Sequence, residues 1–146
     1  MNIIRRLLIA LVGEDSGLDL IADERQRQLA VEQFNDEHDD EHQDGSLAAA
    51  AACYAHPRFL HVQADHSTRG SPYVDAWPRS WGNDWDKRLL NRGTFLATPR
   101  ATKVLDARIR ELAKAGALCA AEIDRLQRAR ARAVQLDGPV LRRGAC

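Results

Sequence analysis

Apolar residues recur along this chain at helical steps. Leu105, Ile109, Leu112, Gly116, Cys119, Ile123 and Leu126 step by four, three, four, three, four and three, a heptad seam that predicts one long helix. A second helix is expected from Leu18 to Gln33, with Leu18, Ile21, Leu29 and Phe34 inward and Glu24, Arg25, Arg27 and Gln28 on polar faces. Asp44-Gly45-Ser46 reads as a turn with Ser46 as N-cap, and Leu47 to Ala55 as a helix made mostly of alanine methyls. Gly116 costs about 1 kcal/mol relative to alanine inside a helix. The alanine helix offers a matching small surface, so these two helices are predicted to cross near Gly116. The seam is expected inside an intramolecular bundle, with an intermolecular coiled coil as the alternative.

The flanks and the middle are different. Ile3, Ile4, Leu7, Leu8 and Leu11 predict a short amphipathic helix docked on the core or on a second subunit, ended by a break from Gly13 to Gly17. It is shorter than the roughly 20 apolar residues a bilayer requires, and no small-residue cleavage site follows it. Pro57 to Pro99 holds four of the five prolines and all three tryptophans, so it reads as a long irregular loop. Within it only Arg58 to Ala64 alternates like a strand, with no evident partner. Trp77, Trp81 and Trp85 recur every four residues and would either plug the open end of a bundle or form a stacking wall for a planar ligand. The expected fold is all-α, a small bundle of three to four helices with a long Trp/Pro/Gly-rich loop. It forms one domain over residues 1–146, with an N-terminal helix and break (1–17), a helical core (18–132) interrupted by the loop (57–99), and a flexible basic tail (133–146).

Charge excludes one class of partner. Lys and Arg total 21, and Asp and Glu total 21, so no global field attracts nucleic acid or an anionic membrane surface. The charges are nevertheless segregated. Residues 36–44 are acidic, whereas Arg125, Arg128, Arg130, Arg132, Arg142 and Arg143 make the C-terminal end basic, poles suited to cations and to phosphates or a partner chain. Cys53, Cys119 and Cys146 form no paired spacing, which fits a reducing cytoplasm, with Cys53 and Cys119 expected as small core residues.

The chemistry concentrates in Glu37-His38-Asp39-Asp40-Glu41-His42, six consecutive ionisable side chains. In a helix His38 and His42 face one way, with Glu41 three residues from His38. The pattern is only superficially like the HExxH of zinc peptidases, since Asp39 stands where glutamate is required and no third ligand is placed by spacing. A hard cation, Mg2+ or Mn2+, suits the acids better. Glu24, Glu37, Asp40 and Glu41 could converge with Glu122 of the long helix if the helices pack antiparallel. The bland alternative is a solvated acidic turn near the N-terminus of the following helix.

The set Glu24-Arg25-Gln26-Arg27-Gln28, Glu37 to His42, Leu47-Ala48 with Ala51 to Ala55, Trp85 and Lys87, then Arg110 to Leu118 and Ala121 to Leu126 resembles a small protein family of tailed phages and prophages. The resemblance spans roughly residues 20–128 and implies a phage accessory protein in the bacterial host cytoplasm. Its members usually carry a Gly-Trp pair where this chain has Gln33-Phe34. The paired acids are also similar to the MazG-like nucleoside triphosphate pyrophosphohydrolases, which implies carboxylates on two helices holding magnesium. The arginine-rich helix, Asp-Asp pair and later lysine are similar to the RyR repeat domain, which implies a nucleotide-type ligand bound without turnover.

Two functions follow. In the first, a metal-dependent nucleotide hydrolase, Glu37, Asp40, Glu41 and Glu122 bind the cation, His38 or His42 activates water, and Arg27 or Lys114 neutralises phosphate. In the second, a non-catalytic counter-defence protein sequesters a nucleotide-derived immune signal, stacking it on Trp77, Trp81 and Trp85 and clamping its phosphate with Arg27, Lys87 and Arg108. A protein-binding structural role is the third possibility. The expected partners are a nucleotide-type small molecule and, through helical faces, further copies of the chain.

Overall fold

The computed structural model describes residues 15–57, 59–63, 73–82, 85–88 and 102–136. They form four helices and a two-stranded sheet: α1 (Gly17–Val31), α2 (Asp36–Glu41), α3 (Ser46–Ala55), β1 (His61–Gln63), β2 (Tyr73–Asp75) and α4 (Thr102–Leu136). The molecule is mostly helical, as expected, but not purely so. The Arg58–Ala64 alternation does find a partner, because Val62 pairs with Val74 in an antiparallel register. The expected N-terminal helix through Leu11, and the tail beyond Leu136 with Cys146, lie outside the described residues. Residues 133–136, assigned to the tail from sequence, continue α4.

Each short helix is set by a local signal. Ser16 and Asp19 close a capping box at the start of α1. Asn35 caps α2 by accepting from His38 N at 3.0 Å. The start of α3 differs from expectation: Gly45, at φ 77°, is the N-cap and Ser46 is the first helical residue. Glycine reaches that left-handed conformation without a Cβ clash.

The core lies between α3 and α4, the most extensively packed pair of elements. Leu47, Ala50, Ala51 and Tyr54 meet Ala115, Leu118 and Ala121, with Trp77 and Trp81 packed against them. Small side chains on both surfaces let the two helices approach closely. Consequently α4 buries its alanine face and not its heptad seam. Leu105, Ile109, Leu112, Ile123 and Leu126 are 41–54 % exposed, Cys119 is exposed as well while Cys53 is buried, and Leu18 of α1 also faces solvent. The alanine helix does pack on α4 beside Gly116, at Ala115 and Leu118, but Gly116 itself faces α1: a Cβ there would lie 2.6 Å from Ile21 Cδ1 and Cγ1.

The two charged poles also turn out to face each other. Arg128 holds Asp36 and Asp40, and Arg132 holds Asp40 at 2.8 Å, so the acidic helix α2 is lashed to the basic end of α4. Elsewhere Arg88 is buried, pairs with Asp75 and Asp86 and lies 4.9 Å from the ring centroids of Phe59 and Trp77. Its guanidinium holds the Asp75 carboxyl below the usual carboxylate range. This cluster ties the hairpin to the tryptophan segment. No helix of the described residues is long and apolar enough to cross a membrane.

Candidate functional site

A cavity of about 360 Å³ opens where α1, α2, α3 and α4 meet Trp81, Trp85 and Lys87. Its formation begins with the reversal after α1. Gln33 takes a positive φ of 58°, which turns the chain so that Phe34 N donates to Gln28 O at 3.1 Å. The turn delivers Phe34 onto His38, four residues on, with ring centroids 4.4 Å apart and planes 14° from parallel.

From that pair the rings continue around one wall. His38 contacts His42 edge-on at 4.9 Å, His42 lies 5.3 Å from Trp81, and Trp81 is 5.4 Å from Trp85. Trp85 closes the circuit against Phe34 and His38 at 5.8 and 6.0 Å. The cavity borders Phe34, His38, Trp81, Trp85 and Tyr54 together with Leu47, Leu118 and Ala121, an apolar and aromatic lining suited to a flat ring. Of the two roles expected for the indoles, Trp77 plugs the core, Trp85 lines the cavity, and Trp81 does both.

Two hydrogen-bonded features fix this wall. His42 Nδ1 accepts from Trp81 Nε1 at 3.3 Å and lies 3.1 Å from Ser46 Oγ. Because indole N–H only donates, that nitrogen must be unprotonated, and burial, followed by the neighbouring His38, holds the His42 pKa below its ordinary value. The Tyr54 hydroxyl donates to Trp85 O at 3.3 Å and accepts from Lys87 N at 3.1 Å. Burial pushes the Tyr54 phenol up, which keeps it neutral and able to do both.

The rest of the lining is polar and mostly charged. Glu24, Arg25, Arg27, Gln28, Glu32, Asp39, Lys87 and Lys114 complete it. Arg27 is held by Glu24 and Glu32 at 2.7 and 2.8 Å; the hydrogen bonds it donates to Glu24 raise its pKa. Arg25 is paired with Asp39. Lys114 Nζ sits 5.5 Å from the Tyr54 ring centroid, and among the described residues no carboxylate pairs with Lys87 or Lys114. A neighbouring trough of about 550 Å³ shares Glu24, Arg27, Glu32, Lys87 and Lys114 and adds Arg110, so these cations stand at the junction of two spaces.

The residues singled out from sequence divide accordingly. Arg27, His38, Trp81, Trp85, Lys87 and Lys114 come together at the cavity. His42 stands behind Trp81 as its anchor, and Trp77 belongs to the core. Arg108 donates to the Tyr54 and Ala55 carbonyls and to Glu111, closing the C-terminus of α3. The acids proposed for a cation do not converge. Asp40 lies between Arg128 and Arg132, and the Arg128 hydrogen bond keeps its carboxyl low. Glu122 is taken by Arg125 at 2.8 Å, Glu24 by Arg27, and Glu37 and Glu41 are exposed. Among the described residues no three His, Cys, Asp or Glu side chains form a set that could hold a metal.

Sequence reasoning missed Gln28, Phe34, Asp39 and Tyr54 as site residues. Gln28 is four residues from Glu24, the spacing that puts side chains on one helical face, and Tyr54 is the only aromatic residue in an alanine helix, whereas Phe34 precedes the N-cap Asn35 and reaches His38 only through the turn at Gln33. Asp39 gave no such signal, because its neighbours share its charge and only the packed structure shows which carboxylate is buried.

Compared with known proteins, the chain matches no family model, no curated protein and no solved structure.

Proposed function

We propose that this chain binds a nucleotide-type phosphorylated ligand in the aromatic cavity and retains it without turnover. The observation that carries the reading is one cavity lined both by the rings of Phe34, His38, Trp81 and Trp85 and by Lys87 and Lys114, two cations that no described carboxylate neutralises. A base stacks on the rings, and a phosphate is drawn to the lysines. Turnover by a bound magnesium ion would need acids free to ligate it, whereas Asp40, Glu122 and Glu24 are engaged by guanidinium groups. The resemblance to the phage-encoded family supports a setting for such a protein: sequestering a nucleotide-derived signal in the host cytoplasm. It also gains support from Gln33, whose left-handed φ is the one glycine adopts freely and which stands where that family carries Gly-Trp.

The test is to mix the protein and magnesium with nucleoside triphosphates and with cyclic or ADP-ribose-derived nucleotides, then release the ligand by heat and chromatograph it. Intact recovery of a depleted compound, lost in Trp85→Ala and kept in Asp40→Asn, is the expected result. Conversion to monophosphate and pyrophosphate, lost in Asp40→Asn, would establish a hydrolase instead.

A further inference from the structure

Two buried acceptors in the cavity lack donors. Gln28 is 4 % exposed; its Nε2 donates to Glu24 Oε1 at 3.4 Å, and its Oε1 has no partner. The amide is not free to turn over, since that would set Oε1 against the Glu24 carboxylate. His38 is oriented in the same way. Its Nδ1 lies 3.3 Å from Asp39 Oδ1, and because an ionised carboxylate only accepts, Nδ1 carries the hydrogen. In the neutral ring Nε2 is then a lone pair, also without a partner. Asp39 is in turn fixed by Arg25.

Phe34 contacts both residues: its backbone N–H is bonded to Gln28 O and its ring is stacked on His38, and all three line the one cavity. A buried acceptor left unmade costs roughly 1–3 kcal/mol, a cost that a ligand donor removes and a ligand acceptor aggravates.

Resting on the nucleotide reading, we infer that the cavity selects a base whose hydrogen-bonding edge carries an exocyclic amino group, adenine or cytosine, through Gln28 Oε1 and His38 Nε2. An amino group brings two N–H donors to two acceptors. In hypoxanthine or uracil a carbonyl oxygen takes its place and meets two lone pairs.

The experiment is calorimetric titration with the pairs AMP and IMP, and CMP and UMP, on wild type and on Gln28→Met, which keeps the side-chain length and loses the acceptor. At least one amino-bearing member should bind about tenfold or more tighter than its oxo counterpart, consistent with one well-made buried hydrogen bond. Gln28→Met should shrink that ratio while still binding the oxo nucleotide, which shows that the cavity is intact. Equal affinities within both pairs on wild type would overturn the amino selection and leave the binding site standing. No binding of any of the four up to millimolar concentration would overturn both. The wild-type comparison decides even if the variant does not fold.

Discussion

Arg25 on α1 donates to Asp39 Oδ2 at 2.5 Å, and Asp39 is 99 % buried, the least accessible acid of the acidic run. This pair joins two helices and orients His38 at the cavity. Removing one partner of a buried ion pair strands the other charge and typically costs about 3–5 kcal/mol. Asp39→Ala should therefore lower stability by about that amount in urea unfolding, whereas Glu37→Gln, at an exposed acid of the same helix, should leave the midpoint near wild type. Equal effects of the two would refute the assignment of Asp39 as the buried member.

A second prediction concerns Gly116. Ile21 is β-branched and stiff at χ1, and both its Cδ1 and Cγ1 lie 2.6 Å from the position of an added Cβ. Gly116→Ala should thus destabilise by about 1–3 kcal/mol through overpacking, against the gain of about 1 kcal/mol that alanine brings to a free helix. The same substitution in an Ile21→Ala background should be neutral or stabilising. Additive effects in that double-mutant cycle would show that the two residues do not meet.

The exposed seam of α4 leads to the third. Leu105, Ile109, Leu112, Ile123 and Leu126 keep a heptad spacing on a face that the monomer leaves in water, and a heptad row is suited to a second copy of the same helix. The chain should sediment as an oligomer, and Ile123→Lys with Leu126→Lys should return it to monomer without lowering monomer stability. A wild-type chain that stays monomeric at high concentration would exclude this interface.

The fourth is a pH dependence set by His42. Its pKa is lowered in the folded protein by burial and by His38, with Asp44, Asp39 and Glu41 opposing. The unfolded chain takes up this proton near pH about 6.5, before the folded one does. The unfolded state then holds more protons, and stability falls as the pH drops through that window. Protonation of Nδ1 also ejects the Trp81 N–H bond. Urea midpoints should decline from about pH 7.5 to about pH 5.5, less steeply in His42→Gln, with a matching change in tryptophan emission. Identical slopes in the two proteins would remove His42 as the cause.

What the sequence disclosed and what it concealed have a common physical basis. The helices at 17–31, 46–55 and 102–136 were legible because periodicity acts locally, as 18–33, 47–55 and a seam over 105–126, whereas the cap of Ser16 with Asp19 was read only as a break. Which face of α4 turns inward was not: the large apolar residues marked the seam, but Ala115 and Ala121 matched the alanine surface of α3 and won the core. The pairing of the acids was hidden for a related reason. Charge alone suggested a cation, and the pairing of Asp40 with Arg128, 88 residues away, is a tertiary fact. Part of the candidate site was legible, in Arg27, His38, Trp81, Trp85, Lys87 and Lys114, whereas Gln28 and Tyr54 gain their role only once four helices enclose one space.

The hydroxyl of Tyr54 joins the carbonyl of Trp85 to the N–H of Lys87, so the ring that would cover a base and the lysine that would meet its phosphate hang from a single oxygen atom. Their movements are thereby coupled. A free base or inorganic phosphate meets half a grip, and the linked molecule should gain more affinity than the two fragments supply between them, a synergy that Tyr54→Phe would erase.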